Sequence, residues 1–232
     1  MKGRTIILSP HLDDAVISCF ASVIQPGALV ITIFGGVPEP GTSKIWDIVC
    51  GESDSVAMVK KRIDENKIAL DAVNTESKNL DFLDAQYRKD KQDISQIVKK
   101  IISITNPNDS FLAPLSASKL FNHADHRITR NVGLELLRQQ RKVSFYPDSP
   151  YMRMPGVLNE SYKNSLTSRV QKTLGIDEVE LKVLEFSKDK AKLKKQTMMM
   201  YTTQYKMTNL MSLNELKHTL NRRYELLFIP KS

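Results

Sequence analysis

Near its start the chain carries a short apolar run that ends at a proline and is followed by a histidine and two adjacent aspartates: Thr5-Ile6-Ile7-Leu8-Ser9-Pro10-His11-Leu12-Asp13-Asp14-Ala15. The branched and aliphatic run has the length and composition of a β-strand. Proline cannot donate a hydrogen bond to a sheet, so we expect the strand to end there. Apolar residues then recur at roughly helical spacing, at Val16, Ile17, Phe20 and Val23. The stretch therefore predicts a strand, a polar loop and the start of a helix.

Two interpretations of the paired acids are open at this point. The partial positive charge at a helix N-terminus favours ionised carboxylates, so Asp13 and Asp14 would be expected there even without a chemical role. Alternatively, they form a functional site with His11 at the end of the strand. Taken alone, the motif favours the first interpretation.

A second stretch repeats the arrangement: Phe121-Asn122-His123-Ala124-Asp125-His126-Arg127. It follows a strand-like run from Ser110 to Pro114 and precedes a helix-like segment that extends to Leu137. The chain has 4 histidines, and His11, His123 and His126 fall in these two loops, close to aspartates. This clustering favours one shared site.

Neutral imidazole and carboxylate groups together suit zinc, and a catalytic zinc keeps one open coordination position. In open α/β sheets, sites form outside the carboxyl ends of the strands, where both loops are predicted to lie. The two loops therefore predict a divalent metal site with open coordination. Zinc is the favoured metal, and another divalent metal is the alternative.

Length and composition favour a single α/β domain over residues 1–232. The 232 residues, 41% of them hydrophobic, can bury one sizeable core, and strand-like segments alternate with helix-like ones. The further expected elements are strands at 28–34, 80–84, 143–146, 181–186 and 224–229, and helices at 54–73, 91–104, 188–204 and 213–221. A long loop over residues 35–53, which holds the only tryptophan, Trp46, is predicted to be an ordered lid.

The formal net charge of +8 would fit a nucleic-acid-binding protein or an anionic small substrate. No nucleic-acid-binding motif accompanies the basic residues, so no nucleic acid is expected as a partner. The lysine-rich run from Lys188 to Lys195 is predicted to be a solvated helix face.

The sequence also indicates the cellular compartment. Only Cys19 and Cys50 are present, which gives no disulfide framework and suits a reducing cytoplasm. No segment approaches the roughly 20 apolar residues of a membrane span, and the first apolar run is too short for a signal peptide. A cytoplasmic location without a membrane span is therefore expected.

The motifs Pro10-His11-Leu12-Asp13-Asp14 and His123-Ala124-Asp125-His126 together resemble the paired signature of the PIG-L/LmbE-like family of zinc-dependent N-deacetylases. Members of that family act on N-acetylglucosaminyl substrates. Weaker similarities run through most of the chain: Arg62 with Glu65 and Ala69-Leu70, Asp84 after a short strand, the segment from Tyr146 to Tyr151, and Tyr201-Thr202-Thr203-Gln204.

The resemblance implies a Rossmann-like fold, with a mostly parallel sheet flanked by helices. It also implies one zinc ion held by His11, Asp14 and His126, with water completing the site. Zinc lowers the pKa of a bound water towards about 7 and polarises an amide carbonyl, which is the chemistry that amide hydrolysis needs.

The same resemblance implies the other site residues. Asp13 would be the general base, and His123, oriented by Asp125, would stabilise the oxyanion and protonate the leaving amine. The residues implied for substrate binding are Arg62, Glu65 and Asp84.

The chain departs from the commonest family pattern at three positions. Leu12 and Ala15 replace a proline and a glutamate that are frequent in the first motif, and neither is expected to bind metal. Phe121 stands where some members have a tyrosine that donates to the oxyanion. Oxyanion stabilisation would then fall to zinc and His123.

The expected function is removal of the acetyl group from an N-acetylglucosamine-type amino sugar or its conjugate. The expected substrate is a small molecule, and the basic surface is compatible with an anionic one. The sequence is also compatible with a homo-oligomer. One alternative is a catalytically reduced relative that binds a sugar or nucleotide. The other is an amidase acting on a non-sugar amide.

Overall fold

The computed structural model describes residues 3–117, 123–149, 154–155, 157–204 and 222–231. The strands are β1 (Thr5–Ser9), β2 (Leu29–Thr32), β3 (Glu76–Asn79), β4 (Ser110–Pro114), β5 (Lys142–Tyr146), β6 (Val179–Glu185) and β7 (Tyr224–Pro230). The helices are α1 (Asp14–Val23), α2 (Ile45–Val49), α3 (Ser55–Asp71), α4 (Ile94–Ser103), α5 (Ala124–Arg138), α6 (Glu160–Leu174) and α7 (Lys188–Met198).

The seven strands form one sheet in the order β3-β2-β1-β4-β5-β7-β6. The pairs from β3 to β5 are all parallel, whereas β7 is antiparallel to both β5 and β6. The expected mixed α/β fold with a mostly parallel sheet is confirmed.

The central strands are buried on both faces, which explains why they are continuous apolar runs. In β1, Ile6 and Leu8 pack into one core cluster with Phe111 of β4, while Ile7 faces the opposite cluster with Val30 of β2. Helices therefore cover both sides of the sheet around β1.

One glycine lets α5 approach the sheet closely. A Cβ atom at Gly133 would lie 2.5 Å from the Cβ of Ala113 in β4, closer than two carbons can sit. The side chain of Phe145 in β5 also lines this space. Because Gly133 has no side chain, α5 can pack directly against β4 and β5, which also positions His126 in its first turn.

The strand order reverses direction between β1 and β4. The chain moves from β1 outward to β2 and β3, and then returns to β4 on the other side of β1. At such a switch point the loops that leave the two central strands diverge and open a crevice at their carboxyl ends. The two histidine-containing loops follow these two strands.

Some predicted elements differ from those observed. Residues 80–84 are not a strand and contribute one isolated bridge, Phe34 to Asp81, while β3 lies earlier, at exposed polar residues. The loop 35–53, predicted to be a lid, contains the short helix α2. Helix α6 was not predicted, and α7 ends at Met198 rather than at residue 204. The predicted helix 213–221 and Phe121 lie outside the described residues.

The prediction that the lysine-rich run is a solvated face is wrong at one position. Lys194 is 2% exposed and its Nζ lies 2.6 Å from Glu225 Oε1. The Glu225 carboxylate also accepts from the backbone N–H groups of Phe20 and Ala21, next to a break in α1 at Cys19. This buried pair links α7 and β7 to the helix that begins at the site.

Among the described residues, no helix combines the length and apolar character required to cross a membrane.

Candidate metal centre and active site

Ser9, the last residue of β1, braces the loop that carries the first motif. Its Oγ donates to the carbonyl oxygen of His11 at 2.6 Å and accepts from the backbone N–H of Ala15 at 3.0 Å. The loop is thereby folded back on itself between the strand and α1. This local turn brings His11 and Asp14 to the same side.

Asp14 lies between two histidines, one in the loop after β1 and the other in the first turn of α5. Its Oδ2 is 3.1 Å from His11 Nδ1 and 3.1 Å from His126 Nε2. One candidate ligand atom from each residue lies within 4.8 Å of the others, and Asp14 and His126 are buried. The structure brings together the three residues that the resemblance implies as metal ligands.

These three side chains fit a zinc ion. Ligands about 2.0–2.1 Å from a tetrahedral zinc are roughly 3.3 Å apart, close to the separations of Asp14 Oδ2 from the two imidazole nitrogens. Two imidazoles and one carboxylate are a common donor set for catalytic zinc, and three protein ligands leave a position for water or substrate. The donor set, rather than any observed ion, carries this assignment.

In each of the two histidines, the ring nitrogen that does not face Asp14 contacts a second carboxylate. Asp148 Oδ2 lies 2.8 Å from His126 Nδ1, and Asp125 Oδ2 lies 3.2 Å from His11 Nε2. Asp148 is in turn fixed by the backbone N–H of Ser116, which donates to its other oxygen at 2.8 Å. Such contacts fix the ring orientation and the tautomer of a metal-binding histidine.

Asp148 had no assigned role in the sequence analysis. Its position two residues beyond β5, next to β4 in the sheet, puts it at the carboxyl end that carries the other site residues. That placement could have marked it as a candidate.

Asp148→Asn is expected to weaken zinc binding by about 10–100-fold, the usual effect of losing such a carboxylate. Competition with a chromophoric chelator measures the affinity. Asp109→Asn is the matched control, because Asp109 is equally buried but accepts from the backbone of Arg4 and Asn106 at the opposite end of β4. Equal zinc affinities in the two variants would contradict the role given to Asp148.

The electrostatics of the centre favour a bound cation. Burial lowers the pKa of His126, but Asp14 and Asp148 outweigh it and raise the pKa to about 9. For His11, burial likewise opposes the neighbouring acids, chiefly Asp84, which raise its pKa well above the ordinary value. The carboxylates that attract protons to these rings would equally attract a divalent metal.

Asp13 is the other acid of the first motif. It is the N-cap of α1 but its side chain makes no capping hydrogen bond, and it is 9% exposed. Burial, and next the charge of Asp14, raise the pKa of Asp13 to about 6. A carboxylate with a pKa close to neutrality is suited to accept and return a proton.

His123 caps α5 with its ring. Its Nδ1 accepts from the backbone N–H of Asp125 at 3.3 Å, so in the neutral ring Nε2 carries the proton. Burial, followed by the charges of His11 and His126, lowers the pKa of His123 to about 4. The His123 and His11 ring centroids are 4.7 Å apart, so this N–H donor borders the metal centre.

The carboxylate of Asp125 has a different partner from the one implied by the resemblance. It contacts His11 Nε2, accepts from the backbone N–H of Ala85 at 2.9 Å and pairs with Arg88. Its observed hydrogen bond to His123 runs through its own backbone N–H. The carboxylate of Asp125 therefore orients the candidate ligand His11, while its backbone orients His123.

Two of the three residues implied for substrate binding lie near the centre. The side chain of Asp84 is 20% exposed and its Oδ2 is 3.6 Å from His11 Nε2. Arg62 is buried, contacts Cys50 Sγ and Asp47 Oδ1 at 3.4 Å each, and its charge acts on Asp13. Through Asp47, Arg62 connects helix α2 to the site.

The carboxylate of Glu65 binds a segment that is distant in the sequence, at Thr202 and Thr203. Its carboxylate accepts from Thr202 Oγ1, Thr203 Oγ1 and the Thr203 backbone N–H at 2.6, 2.6 and 3.0 Å, and it is 7% exposed. These contacts anchor the residues that follow α7 against α3. They give Glu65 a structural task, and its contact with substrate stays a prediction.

Glu65→Ala is expected to lower the free energy of unfolding by about 1–3 kcal/mol, because three buried donors lose their acceptor. For a chain of this size that corresponds to a fall in Tm of roughly 2–10 °C, measurable by calorimetry. The exposed Asp64→Ala on the same helix is the control, with little change expected. An unchanged Tm together with a higher KM would instead support direct substrate binding by Glu65.

Comparison with known proteins agrees with this geometry. Residues 6–137 match the PIG-L family, described as GlcNAc-PI de-N-acetylase. This match spans more than half of the chain, and the chain belongs to the PIG-L family. The resemblance noted in the sequence is thereby confirmed.

Individual relatives are more distant. The 2'-N-acetylparomamine deacetylase of Niallia circulans is 26% identical over 190 residues, covering 65% of this chain and 68% of that protein. The structure of the A40926 pseudoaglycone deacetylase Dbv21 superimposes with a TM-score of 0.73 at 24% identity, covering 99% of this chain and 97% of that one. A zinc-inhibited form of the teicoplanin deacetylase Orf2 gives 0.73 at 20% identity, covering 97% of each chain. These two structures show a shared fold.

Proposed function

We propose that this protein is a zinc-dependent N-deacetylase that releases acetate from an N-acetylglucosamine-type amino sugar or its conjugate. The observation that carries the proposal is the convergence of His11, Asp14 and His126 at the switch point of the sheet, with Asp13 and His123 beside them. The named relative that deacetylates an amino-sugar derivative supports the substrate class.

His11, Asp14 and His126 would hold the metal. When bound, zinc supplies a Lewis acid for the amide carbonyl and lowers the pKa of water at the site. Asp125 and Asp148 keep the two imidazole rings in place through their second nitrogens. The remaining chemistry falls to side chains of the chain itself.

Asp13 accepts the proton of the attacking water, because its carboxylate is not used for capping and its pKa of about 6 leaves it ionised at neutral pH. His123 donates a hydrogen bond from Nε2 to the amide oxygen as negative charge develops there. With its pKa lowered to about 4, the His123 ring is neutral and a poor acid. We therefore assign protonation of the leaving amine to Asp13, which returns the proton it accepted.

A catalytically reduced binding relative is the less favoured alternative. Such a protein would have no use for a buried acid with an elevated pKa beside a metal centre, whereas hydrolysis requires one. An amidase with a non-sugar substrate would use the same centre. Only a comparison of substrates can distinguish it from the proposed deacetylase.

The test is acetate release from a panel of amides in the presence of zinc. The panel holds N-acetylglucosamine, its 1-phosphate, an N-acetylglucosaminyl glycoside, 2'-N-acetylparomamine and an N-acetyl amino acid. We expect turnover of at least one amino sugar well above that of the amino acid, and, if the best substrate is anionic, a kcat/KM that falls with added salt. Turnover confined to the N-acetyl amino acid would support the amidase, and no turnover of any member would support the binding relative.

A further inference from the structure

A contact between two buried serines joins α1 to the loop after β5. The backbone N–H of Ser149 donates to Ser18 Oγ at 3.0 Å, and Ser18 Oγ also lies 3.4 Å from the Ser149 carbonyl oxygen. Ser18 lies one helical turn after Asp14, and Ser149 directly follows Asp148. The Ser18–Ser149 contact therefore connects the helix that carries one proposed metal ligand to the loop that orients another, His126.

Arg222 holds the same contact from a third element of the fold. Its Nη2 donates to Ser149 Oγ at 3.1 Å, and its Nε donates to the carbonyl oxygen of Tyr224, the first residue of β7, at 3.1 Å. Its guanidinium carbon lies 5.4 Å from the centroid of the Tyr224 ring. A planar guanidinium that is buried and bonded at two nitrogens has a defined orientation. Ser149 is thus held by α1 through its backbone and by Arg222 through its hydroxyl.

The shape of α1 makes this contact important for the position of Asp14. The backbone is non-helical at Cys19, so α1 consists of two segments, and Ser18 is the last residue of the first segment. The second segment is held separately, because its first two backbone N–H groups donate to the Glu225 carboxylate of β7 at 3.0 and 2.8 Å. A helix that is broken in this way does not transmit its direction rigidly from one segment to the other. The first segment, which begins at Asp14, therefore depends on a contact of its own.

We propose that Ser18, Ser149 and Arg222 are positioning residues of the metal centre. They set the separation between Asp14 and His126, and act through these residues rather than by contact with the ion. A metal is held tightly only when its ligands keep the separation that its coordination geometry requires. Loss of the Ser18–Ser149 contact should therefore weaken zinc binding and change the geometry of the bound ion. The inference rests on the ligand set of the proposed function, but it concerns metal binding and not the reaction.

Ser18→Ala and Arg222→Met test the proposal from the two sides of Ser149. Zinc affinity is measured by competition with a chromophoric chelator. The visible absorption bands of the cobalt-substituted protein report the coordination geometry. Each variant is expected to bind zinc about 3–10-fold more weakly, a smaller effect than that of Asp148→Asn because it acts one contact further from the ligand. Its cobalt bands should differ from those of the wild type in position or intensity.

The double variant tests whether the two residues act together. If both act through Ser149, the loss of zinc affinity in Ser18→Ala/Arg222→Met should be smaller than the product of the two single losses. Losses that multiply in full would show that the residues act independently, and this would contradict a shared positioning role.

Thr75→Val is the matched control for Ser18→Ala. Thr75 is buried and its Oγ1 donates to the carbonyl oxygen of Val23, the last residue of α1, at 2.8 Å. Both substitutions remove buried hydrogen bonds to α1, so both should lower the Tm, by roughly 2–4 °C. Only Ser18→Ala should change the zinc affinity and the cobalt spectrum. The exposed neighbour Arg223→Met is the control for Arg222→Met and should behave as the wild type does.

Circular dichroism confirms that each variant is folded. If loss of the buried arginine unfolds the chain, Ser18→Ala decides alone, since it removes a single oxygen atom. A folded Ser18→Ala variant with a lowered Tm but the zinc affinity and cobalt spectrum of the wild type would overturn the proposal. Weakened zinc binding in this variant, together with no acetate release by the wild type from any amide, would refute the proposed deacetylase and retain the positioning role.

Discussion

Asp13→Ala is expected to retain one tightly bound zinc per chain while kcat falls on the order of 10²–10⁴-fold, the usual contribution of a general acid–base group. Asp13 precedes the proposed metal ligand Asp14, its carboxylate makes no capping bond, and its pKa is raised to about 6. Its removal therefore takes away proton transfer without taking away a ligand. Steady-state kinetics and elemental analysis of the same preparation measure both quantities.

Asp13→Asn is the companion variant, because it preserves the shape of the side chain and removes only its basicity. The two substitutions should lower kcat to a similar extent with modest changes in KM. Zinc loss from both variants would assign Asp13 to the metal, and wild-type turnover in both would remove it from the mechanism.

Asp14→Ala and His126→Ala are expected to lose the tight zinc and the activity together. The Oδ2 atom of Asp14 lies 3.1 Å from both histidine nitrogens, so it is central to the cluster. Loss of a direct ligand should weaken zinc binding by more than the roughly 10–100-fold caused by substituting a residue that hydrogen-bonds to a ligand. Affinity is measured by chelator competition, and activity at saturating zinc shows how much is recovered.

Folding must be separated from metal loss in these variants, since Asp14 and His126 are both buried. Asp14→Asn, which keeps the side-chain volume, serves this purpose when compared by thermal unfolding with and without zinc. The wild type should be stabilised by zinc much more than the variant is. If Asp14→Ala binds zinc as tightly as the wild type, the ligand set is wrong.

The central sheet could be predicted because its strands carry their own signal. The apolar run of β4 is bounded by polar residues and a proline, and the predicted strand has the observed limits. The edge strand β3 has the sequence Glu-Ser-Lys-Asn and is exposed throughout, so no apolar pattern reveals it. It is in the sheet because its backbone pairs with β2 along its whole length.

The residues of the candidate site could be found for a related reason. Histidines are few in this chain, and their location beside acids at two strand ends is visible in the sequence. The topology then places both ends at one switch point. Which acid supports which ring was not visible, since Asp125 could have faced either His11 or His123.

Long-range contacts set the remaining differences. Thr202 lies 137 positions from Glu65, and nothing in the local sequence of either residue shows that one accepts from the other. The same holds for Lys194: a charge on a lysine-rich helix predicts solvent exposure, but this lysine pairs with Glu225 in the interior. Side chains that pair across the fold are decided by tertiary packing.

Removal of the metal, followed by its stepwise return, tests the proposed catalytic metal centre most directly. The purified protein is stripped with a chelator, its zinc content is checked by elemental analysis, and acetate release from the best amino-sugar substrate is followed as zinc is returned. Activity should vanish on stripping and recover in full as the first equivalent of zinc is added. Undiminished acetate release by protein shown to contain no metal would contradict the claim that His11, Asp14 and His126 hold a catalytic ion.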